Sequence, residues 1–211
     1  MAFSLRILAL TALVQAGALL FGTMAMAQYT PVPPRGIGAA LDVGDQPGLV
    51  PPADDEVDMD PAYRRQPVYF RTSEPAGTII ISTNDRFLYL VEGNNRALRY
   101  GIGVGRDGFT WQGLVKVVRK AEWPDWTPPA EMIQRQPYLP RFMAGGPGNP
   151  MGARALYLGG TVYRIHGTNQ PDTIGYAVSS GCFRLVNSEV IDLYNRVPVG
   201  TKVIVRQAVE L

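Results

Sequence analysis

Short apolar, β-branched segments in the middle of the chain predict strands. Thr78–Thr83 is followed by the turn signal Asn84-Asp85, and Arg86–Glu92 is followed by Gly93-Asn94-Asn95. A third segment covers residues 97–104. Strand-length segments that are separated by two or three turn-forming residues are typical of β-hairpins.

The C-terminal part of the chain contains one helix-like segment among further strand-like segments. Leu114–Lys120 is strand-like, and so is Ala155–Ile165, which Gly159-Gly160 interrupts. Thr201–Arg206 alternates like a last strand. Between them, apolar residues recur at helical spacing from Asn187, the expected N-cap, until Pro198 ends the pattern. The patterning therefore predicts a mainly β domain with one clear helix.

Residues 122–154 interrupt this regular pattern. They include Trp123-Pro-Asp-Trp-Thr-Pro-Pro129 and Gly145-Gly-Pro-Gly-Asn-Pro150, and so many prolines and glycines exclude long regular elements. A long irregular stretch inside a compact domain is uncommon unless it forms a lid or a binding loop. We therefore expect a lid region, whose tryptophans either line a substrate cleft or close the core.

The N-terminal segment predicts export. Arg6 precedes an apolar run from Ile7 to Phe21, and Ala25-Met26-Ala27 has the small-x-small pattern of a cleavage site. We interpret residues 1–27 as a signal peptide. An uncleaved membrane anchor is the alternative, but the run is shorter than the ~20 apolar residues of a spanning helix.

Charge and composition then divide the rest of the chain. Residues 28–60 are rich in Pro, Gly and Asp and contain one Arg against seven acidic residues, which predicts a disordered acidic linker. A lead-in segment, 61–76, precedes the predicted catalytic domain, 77–207.

Because the basic residues of the folded part are scattered arginines, we expect no nucleic-acid partner. The glycines of Gly101-Ile-Gly-Val-Gly105 lack the spacing of a dinucleotide-binding loop, so we interpret them as strand kinks or close backbone approaches.

The chain has one cysteine, Cys182, and one histidine, His166, sixteen positions apart. An imidazole that takes the proton of a thiol produces a strong nucleophile at neutral pH. The two residues follow apparent strands, where side chains can point into a shared cleft. The alternatives are a buried structural cysteine or a disulfide between chains, but the polar, turn-like flanks favour the nucleophile. One Cys and one His make a thiolate-type metal site unfavourable, and we expect no metal.

Residues around the cysteine suggest further roles. The backbone N–H groups of Ser180, Gly181 and Cys182 are candidates for an oxyanion hole. Arg184 lies two residues beyond the cysteine, so its guanidinium is expected to hold a substrate carboxylate, with a structural salt bridge as the alternative. From the residues alone, either Asp172 or a backbone carbonyl can orient His166.

The sequence resembles the L,D-transpeptidase (YkuD-like) catalytic domain over about residues 77–206. The resemblance is carried by His166-Gly-Thr-Asn169, the sixteen-residue interval and Ser179-Ser-Gly-Cys-Phe-Arg184, with further similarity at 88–92, 149–157, 192–194 and 197–201. Two positions depart from the family pattern: Ser180 replaces a common His, and Phe183 replaces a smaller aliphatic residue. The accessory peptidoglycan-binding or LysM modules of many members are not evident in the sequence.

The resemblance implies a β-sandwich-like fold with mixed sheets. It makes Cys182 the nucleophile, His166 the general base and acid, and the carbonyl of Gly167 the group that orients the imidazole. The expected substrate-binding residues are Tyr163, Thr168, Asn169, Ser179 and Arg184.

The implied activity is peptidoglycan L,D-transpeptidation. A cysteine acyl-enzyme forms on a tetrapeptide stem with release of D-Ala, and the acyl group passes to an amine of another stem peptide or of an envelope protein. An L,D-carboxypeptidase and an inactive wall-binding protein are the alternatives. We expect no cofactor, a monomer in the periplasm or cell envelope of a bacterium, and acylation by carbapenems.

Overall fold

The computed structural model describes residues 59–208. The predicted signal peptide and nearly all of the predicted acidic linker lie outside these residues. Within 59–208, no helix has both the length and the apolar character needed to cross a membrane.

The N-terminal half of the domain consists of four strands. They are β1 (Gln66–Tyr69), β2 (Ile79–Ser82), β3 (Phe87–Gly93) and β4 (Arg96–Gly101). Asn94 and Asn95, between β3 and β4, have φ values of 51° and 57°. Two consecutive positive φ values define the tight hairpin turn that matches the twist of the flanking strands, so the predicted hairpin is confirmed.

The C-terminal half contains seven more strands and two helices. The strands are β5 (Val104–Gly105), β6 (Gly113–Glu122), β7 (Arg154–Leu158), β8 (Arg164–His166), β9 (Ala177–Ser179), β10 (Phe183–Arg184) and β11 (Lys202–Arg206). The helices are α1 (Ala130–Arg135) and α2 (Asn187–Arg196).

The predicted strand at 97–104 is in fact two strands, β4 and β5. Its interruption follows from close packing at Gly101, where an added Cβ would overlap the backbone carbonyl of Tyr63. The interpretation of this glycine as a close backbone approach is therefore confirmed.

The strands form one mixed sheet in the order β1-β4-β3-β2-β11-β6-β7-β8-β10, with β5 and β9 as a separate parallel pair. Strand β6 connects the two halves, because Gly113–Lys116 pairs with β11 and Val117–Glu122 pairs with β7. Pairing is parallel between β2 and β11 and between β8 and β10, and antiparallel in the hairpins. The mainly β fold with mixed sheets and one clear helix is thus confirmed.

One hydrophobic cluster joins both halves to α2. It contains Ile79 and Val203 from one half, Ile165 and Phe183 from the other, and Leu193 from the helix. Full burial of such a side chain stabilises the fold by roughly 1.5–3 kcal/mol. Because Ile165 and Phe183 point into this core, their neighbours on β8 and β10 point to the opposite face of the sheet.

That opposite face is covered by the irregular lid region, residues 123–153. Its one regular element is the six-residue helix α1, so the prediction that prolines and glycines prevent long elements is confirmed. Trp126 and Met132 from the lid pack with Met151 and with Ala155 of β7. This second apolar cluster fixes the lid over the ends of the strands that carry the candidate site.

Helix α2 begins one residue earlier than the sequence predicts. Its N-cap is Val186, which makes no side-chain capping bond, and Asn187 is the first helical residue. The predicted N-cap role of Asn187 is therefore wrong. Its Oδ1 instead accepts a hydrogen bond from the N–H of Ala153, 2.9 Å away, at the end of the lid.

The lead-in segment is part of the folded unit, since β1 pairs with β4 at the edge of the sheet. Arg65, just before β1, is tied to helix α2 by two contacts. Its N–H donates to Glu189 at 2.8 Å, and its guanidinium pairs with Asp192 at 2.8 Å.

Candidate active site

The parallel pairing of β8 and β10 places His166 near Cys182. Ile165 is opposite Phe183, and His166 is opposite Arg184. Cys182 immediately precedes β10, and continuing the register by one step puts it level with Arg164. His166 and Cys182 line the same small pocket, so the fold brings the only imidazole and the only thiol of the chain to one place.

The lid and the strand ends together form the walls of this pocket. Its lining residues are Trp126, Pro129, Met132, Met151, Val162, Tyr163, Arg164, His166, Ser180 and Cys182. Trp126 combines both roles that the sequence left open, because it lines the pocket and belongs to the lid cluster. Trp123 is 41% exposed and lies outside this lining.

His166 is buried, with 2% of its surface exposed, and it is held by backbone groups. Its Nδ1 lies 2.6 Å from the carbonyl oxygen of Gly167. Because a carbonyl oxygen only accepts hydrogen bonds, this contact requires the ring proton to be on Nδ1. In the neutral ring, Nε2 is then the basic nitrogen.

The surroundings of His166 favour the neutral imidazole. Burial lowers the pKa of His166 to about 3, and the nearby cations of Arg184 and Arg164 act in the same direction. The backbone groups of Gly167 and Met151 oppose this shift by hydrogen bonding to the ring. At neutral pH the imidazole is therefore able to accept a proton.

The carbonyl of Gly167, rather than Asp172, contacts the imidazole. Asp172 is exposed and lines a different hollow, with Tyr63 and Tyr176. Asn187 packs closely against Gly167, since an added Cβ on Gly167 would overlap Oδ1 of Asn187. Sequence reasoning missed this contact, because the only signal at Asn187 was its place at the start of a helix.

The turn that carries Cys182 is closed by Ser179. The hydroxyl of Ser179 donates to the carbonyl of Cys182 at 2.7 Å and accepts from the N–H of Gly181 at 3.2 Å. Ser179 is 1% exposed, and these two hydrogen bonds show that its side chain organises the turn. Of the three expected oxyanion donors, the N–H of Gly181 is therefore already engaged within the turn.

Gly181 also depends on the absence of a side chain. Its φ of 104° lies in the region that favours glycine, and an added Cβ would overlap the ring of Tyr163. Tyr163 in turn stacks on Trp111, with the ring centroids 4.9 Å apart. Trp111 Nε1 donates to the carbonyl of Gly181 at 3.0 Å, so this tryptophan supports the turn although no sequence motif indicated it.

Four of the five residues expected to contact the substrate are buried in the structure. Thr168, Asn169 and Ser179 are at most 2% exposed, and Arg184 is fully buried. Their contact with a substrate stays a prediction. Thr168 Oγ1 accepts from the N–H of Gln170, and Asn169 Nδ2 donates to the carbonyl of Gly148 in the lid. Tyr163 is the member of this set that lines the pocket.

Polar contacts attach the lid to the Cys182 turn and connect residues within the lid. Nη2 of Arg135, on α1, lies 3.5 Å from the hydroxyl of Ser180. Asn149 Nδ2 donates to the carbonyls of Met143 and Ala144, while its Oδ1 accepts from the N–H of Met151. These contacts fix the lid residues that face the thiol and the imidazole.

Comparison with known families agrees with this geometry. The model of the L,D-transpeptidase catalytic domain, YkuD, matches residues 76–205, a range that contains His166, Cys182 and the whole pocket. The chain belongs to the L,D-transpeptidase catalytic-domain family.

A curated relative supports the same family. The probable L,D-transpeptidase YbiS of Escherichia coli K12 is 42% identical over 136 residues, which make up 60% of this chain and 43% of that protein. The chain thus spans less than half the length of this relative.

Solved structures of the L,D-transpeptidase family share the fold. The structure of the Ldtfm–avibactam carbamoyl enzyme has a TM-score of 0.51 at 18% identity, over 64% of this chain and 51% of its own. A crystal structure from Brucella melitensis, described as a probable carnitine operon oxidoreductase, is 49% identical over 72% of this chain and 96% of its own, with a TM-score of 0.47. The activity in that description is said of that protein and is not transferred to this chain.

Proposed function

We propose that this protein is a peptidoglycan L,D-transpeptidase that forms an acyl-enzyme on Cys182. The observation that carries the proposal is the shared pocket of the single thiol and a buried, neutral imidazole. A nucleophile beside a base that a third group orients is the arrangement that covalent acyl transfer requires. Membership of the L,D-transpeptidase family supports peptidoglycan stem peptides as the proposed substrate class.

The first half-reaction releases D-Ala from a tetrapeptide stem. Nε2 of His166 takes the thiol proton while Sγ of Cys182 attacks the carbonyl carbon that follows the L-centre of the third residue, meso-diaminopimelate. The tetrahedral oxyanion is stabilised by backbone N–H groups of the Cys182 turn. When the intermediate collapses, the C–N bond breaks, the imidazolium protonates the leaving amine, and a thioester remains on Cys182.

The second half-reaction passes the acyl group to an acceptor. An amine loses a proton to His166 and attacks the thioester, so that an amide forms and the thiol is restored. An amine on another stem peptide gives a 3→3 cross-link, whereas a lysine of an envelope protein gives a protein–wall tether. A free D-amino acid gives exchange, and water gives L,D-carboxypeptidase activity on the same scaffold.

The proposed location follows from the substrate. Peptidoglycan is assembled outside the cytoplasmic membrane, and we expect residues 1–27 to direct export to the periplasm or cell envelope. We also propose that the exported protein is a monomer.

Incubation of the mature protein with disaccharide-tetrapeptide, followed by mass spectrometry, tests the proposal. Dimer, exchange product and tripeptide have different masses, so the mass of the product identifies the acyl acceptor. Tripeptide without dimer would assign the protein as an L,D-carboxypeptidase. No product, together with a thiol that is inert toward iodoacetamide at pH 7, would indicate an inactive wall-binding protein.

Carbapenem acylation gives a second readout of the same thiol. We expect meropenem to form a covalent adduct with the wild-type protein and none with Cys182→Ala. An adduct of unchanged mass on Cys182→Ala would refute the assignment of the nucleophile.

A further inference from the structure

A row of two arginines and a tyrosine crosses the sheet beside the catalytic pocket. Arg119 on β6 is opposite Tyr157 on β7, and Tyr157 is opposite Arg164 on β8. Side chains alternate along a strand, so Arg164 points to the same face as His166, two residues further on. We name these three residues the Arg119–Tyr157–Arg164 row.

The tyrosine ring holds both guanidinium groups of the row. The guanidinium carbon of Arg119 lies 3.5 Å from the centroid of the Tyr157 ring, and that of Arg164 lies 5.5 Å from it. Both distances are within the range of cation–π attraction. Within residues 59–208, neither Arg119 nor Arg164 forms a salt bridge with a carboxylate. Two positive charges are thus held close together without a protein anion between them.

The row leads from the catalytic pocket to an adjoining hollow. Arg164 lines the pocket that contains Cys182, and Arg119 and Tyr157 line a hollow of about 320 Å³ with Glu122 and Asp125. Neighbouring strands lie about 4.8 Å apart, so the row extends about 10 Å from β8 to β6. When the reacting carbonyl of a peptide lies at Cys182, a side-chain group of that peptide can therefore reach the row.

We propose that the Arg119–Tyr157–Arg164 row is a subsite that binds a free carboxylate of the peptide substrate, with Arg164 as the primary contact. Guanidinium groups pair with carboxylates through two parallel hydrogen bonds, which gives both affinity and orientation. This inference rests on the proposed function, because it assumes that Cys182 is acylated by a peptide.

The hollow is lined by charges of both signs. The head group of an amino acid matches them, because it has a carboxylate and an ammonium group. Its two carboxylates already have partners: Glu122 pairs with Arg154 at 3.2 Å, and Asp125 accepts from the N–H of Gly145 at 2.9 Å. Both carboxylates line the hollow together with Arg119, so they favour an ammonium group there. The far end of a meso-diaminopimelate side chain has both groups, whereas lysine has only the ammonium.

Carboxylate binding at Arg164 also couples recognition to catalysis. The charge of Arg164 is one of the causes that lower the pKa of His166. A bound carboxylate offsets this charge and makes the imidazole a stronger base. The correct substrate therefore raises the basicity of the group that activates the thiol.

A matched pair of tetrapeptides tests the subsite. One peptide has meso-diaminopimelate with a free side-chain carboxylate, and the other has the same residue with that group amidated. Acylation is followed by intact-protein mass spectrometry without an acceptor, and transfer is followed by adding each peptide as the acceptor. We expect wild type to prefer the free carboxylate at least tenfold in kcat/KM in one of these two steps.

Variants connect that preference to the row. Arg164→Gln is expected to bring the ratio of kcat/KM for the two peptides close to one, chiefly by raising KM for the peptide with the free carboxylate. Arg164→Lys should keep part of the preference, and Arg119→Gln should lower it partly. Arg96→Gln is the control, since Arg96 follows the hairpin turn at the start of β4 and pairs with Glu92. Binding of the tripeptide to Cys182→Ala, with and without Arg164→Gln, is measured by calorimetry and gives a readout that is independent of turnover.

The outcomes separate the inference from the proposed function. A preference in the acylation step assigns the carboxylate to the donor, and one in the transfer step assigns it to the acceptor. An Arg164→Gln variant that keeps the wild-type preference and tripeptide affinity overturns the subsite. A wild-type protein that acylates neither peptide instead refutes the proposed function.

Discussion

His166 and Arg184 occupy opposite positions on the parallel strands β8 and β10. The N–H of Leu185 donates to the carbonyl of His166 at 2.9 Å, so the two strand ends are joined at this level. Arg184 is fully buried, and its cation is the second largest cause of the lowered pKa of His166, after burial. The arginine of the cysteine motif therefore acts on the base from inside the fold.

Arg184→Gln is expected to raise the pKa of His166 from about 3 toward its ordinary value of 6.5, because a neutral amide removes the repulsion. The acidic limb of the pH–acylation profile then moves to higher pH, since the imidazole must be neutral to accept the thiol proton. Arg184→Lys keeps the charge and should leave the pKa low. The chain has one histidine, so NMR titration of a single imidazole gives the answer. Equal pKa values in the two variants would contradict this role.

The buried position of Arg184 could not be predicted from the sequence. The motif correctly placed Cys182 and His166 at adjacent strand ends, and local patterns correctly indicated the hairpin, helix α2 and the irregular lid. Whether Arg184 faces a substrate or the interior depends on Gly103 and on the β5–β9 pair that covers it. Such long-range packing leaves no local signature, and the supporting roles of Trp111 and Asn187 were missed for the same reason.

Glu189→Gln is expected to stabilise the protein above neutral pH. The carboxyl is buried, which raises its pKa from 4.5 to about 7, and its Oε2 accepts no hydrogen bond from residues 59–208. The folded state therefore holds the proton more tightly than the unfolded state, and wild type loses stability as pH rises from about 4.5 through about 7. Between pH 4 and pH 8 the stability of the variant relative to wild type should rise by about 3 kcal/mol, since each pKa unit corresponds to ~1.4 kcal/mol.

Urea denaturation at pH 4 and pH 8 measures this difference. Glu131→Gln, at an exposed position on α1, is the control and should show little dependence on pH. A Glu189→Gln variant whose advantage over wild type is the same at both pH values would disprove the raised pKa.

Gly181→Ala is expected to reduce acylation at least about hundredfold, because a displaced turn moves the N–H of Cys182, and loss of one oxyanion donor has this scale. The added methyl group would overlap the ring of Tyr163 and force the Cys182 turn to move. Gly160→Ala separates this clash from backbone strain, because Gly160 also has a positive φ of 73° but nothing within 4 Å of an added Cβ. The control should lose about 1 kcal/mol of stability and keep its acylation rate. Similar rates for both variants would argue against the packing role of Gly181.

Lys120→Met is expected to destabilise the fold by about 2 kcal/mol, the usual scale for hydrogen bonds from a charged donor. Nζ of Lys120 donates to the carbonyls of Tyr194 and Val197 at the end of α2, at 2.5 and 2.8 Å. A cation there also complements the negative end of the helix dipole. Lys116→Met, at an exposed position on the same strand, should stay within about 0.5 kcal/mol of wild type. Equal unfolding midpoints for the two variants would exclude this capping role.

The most direct test of the account is to locate the acyl group after the mature protein meets a tetrapeptide stem. We predict a mass increase equal to the peptide without its D-Ala, mapped to Cys182. The adduct should be absent from Cys182→Ala and form at least about a hundredfold more slowly in His166→Gln. An adduct of the same mass on Cys182→Ala, or an unchanged rate in His166→Gln, would contradict the claim that the only imidazole of the chain activates its only thiol.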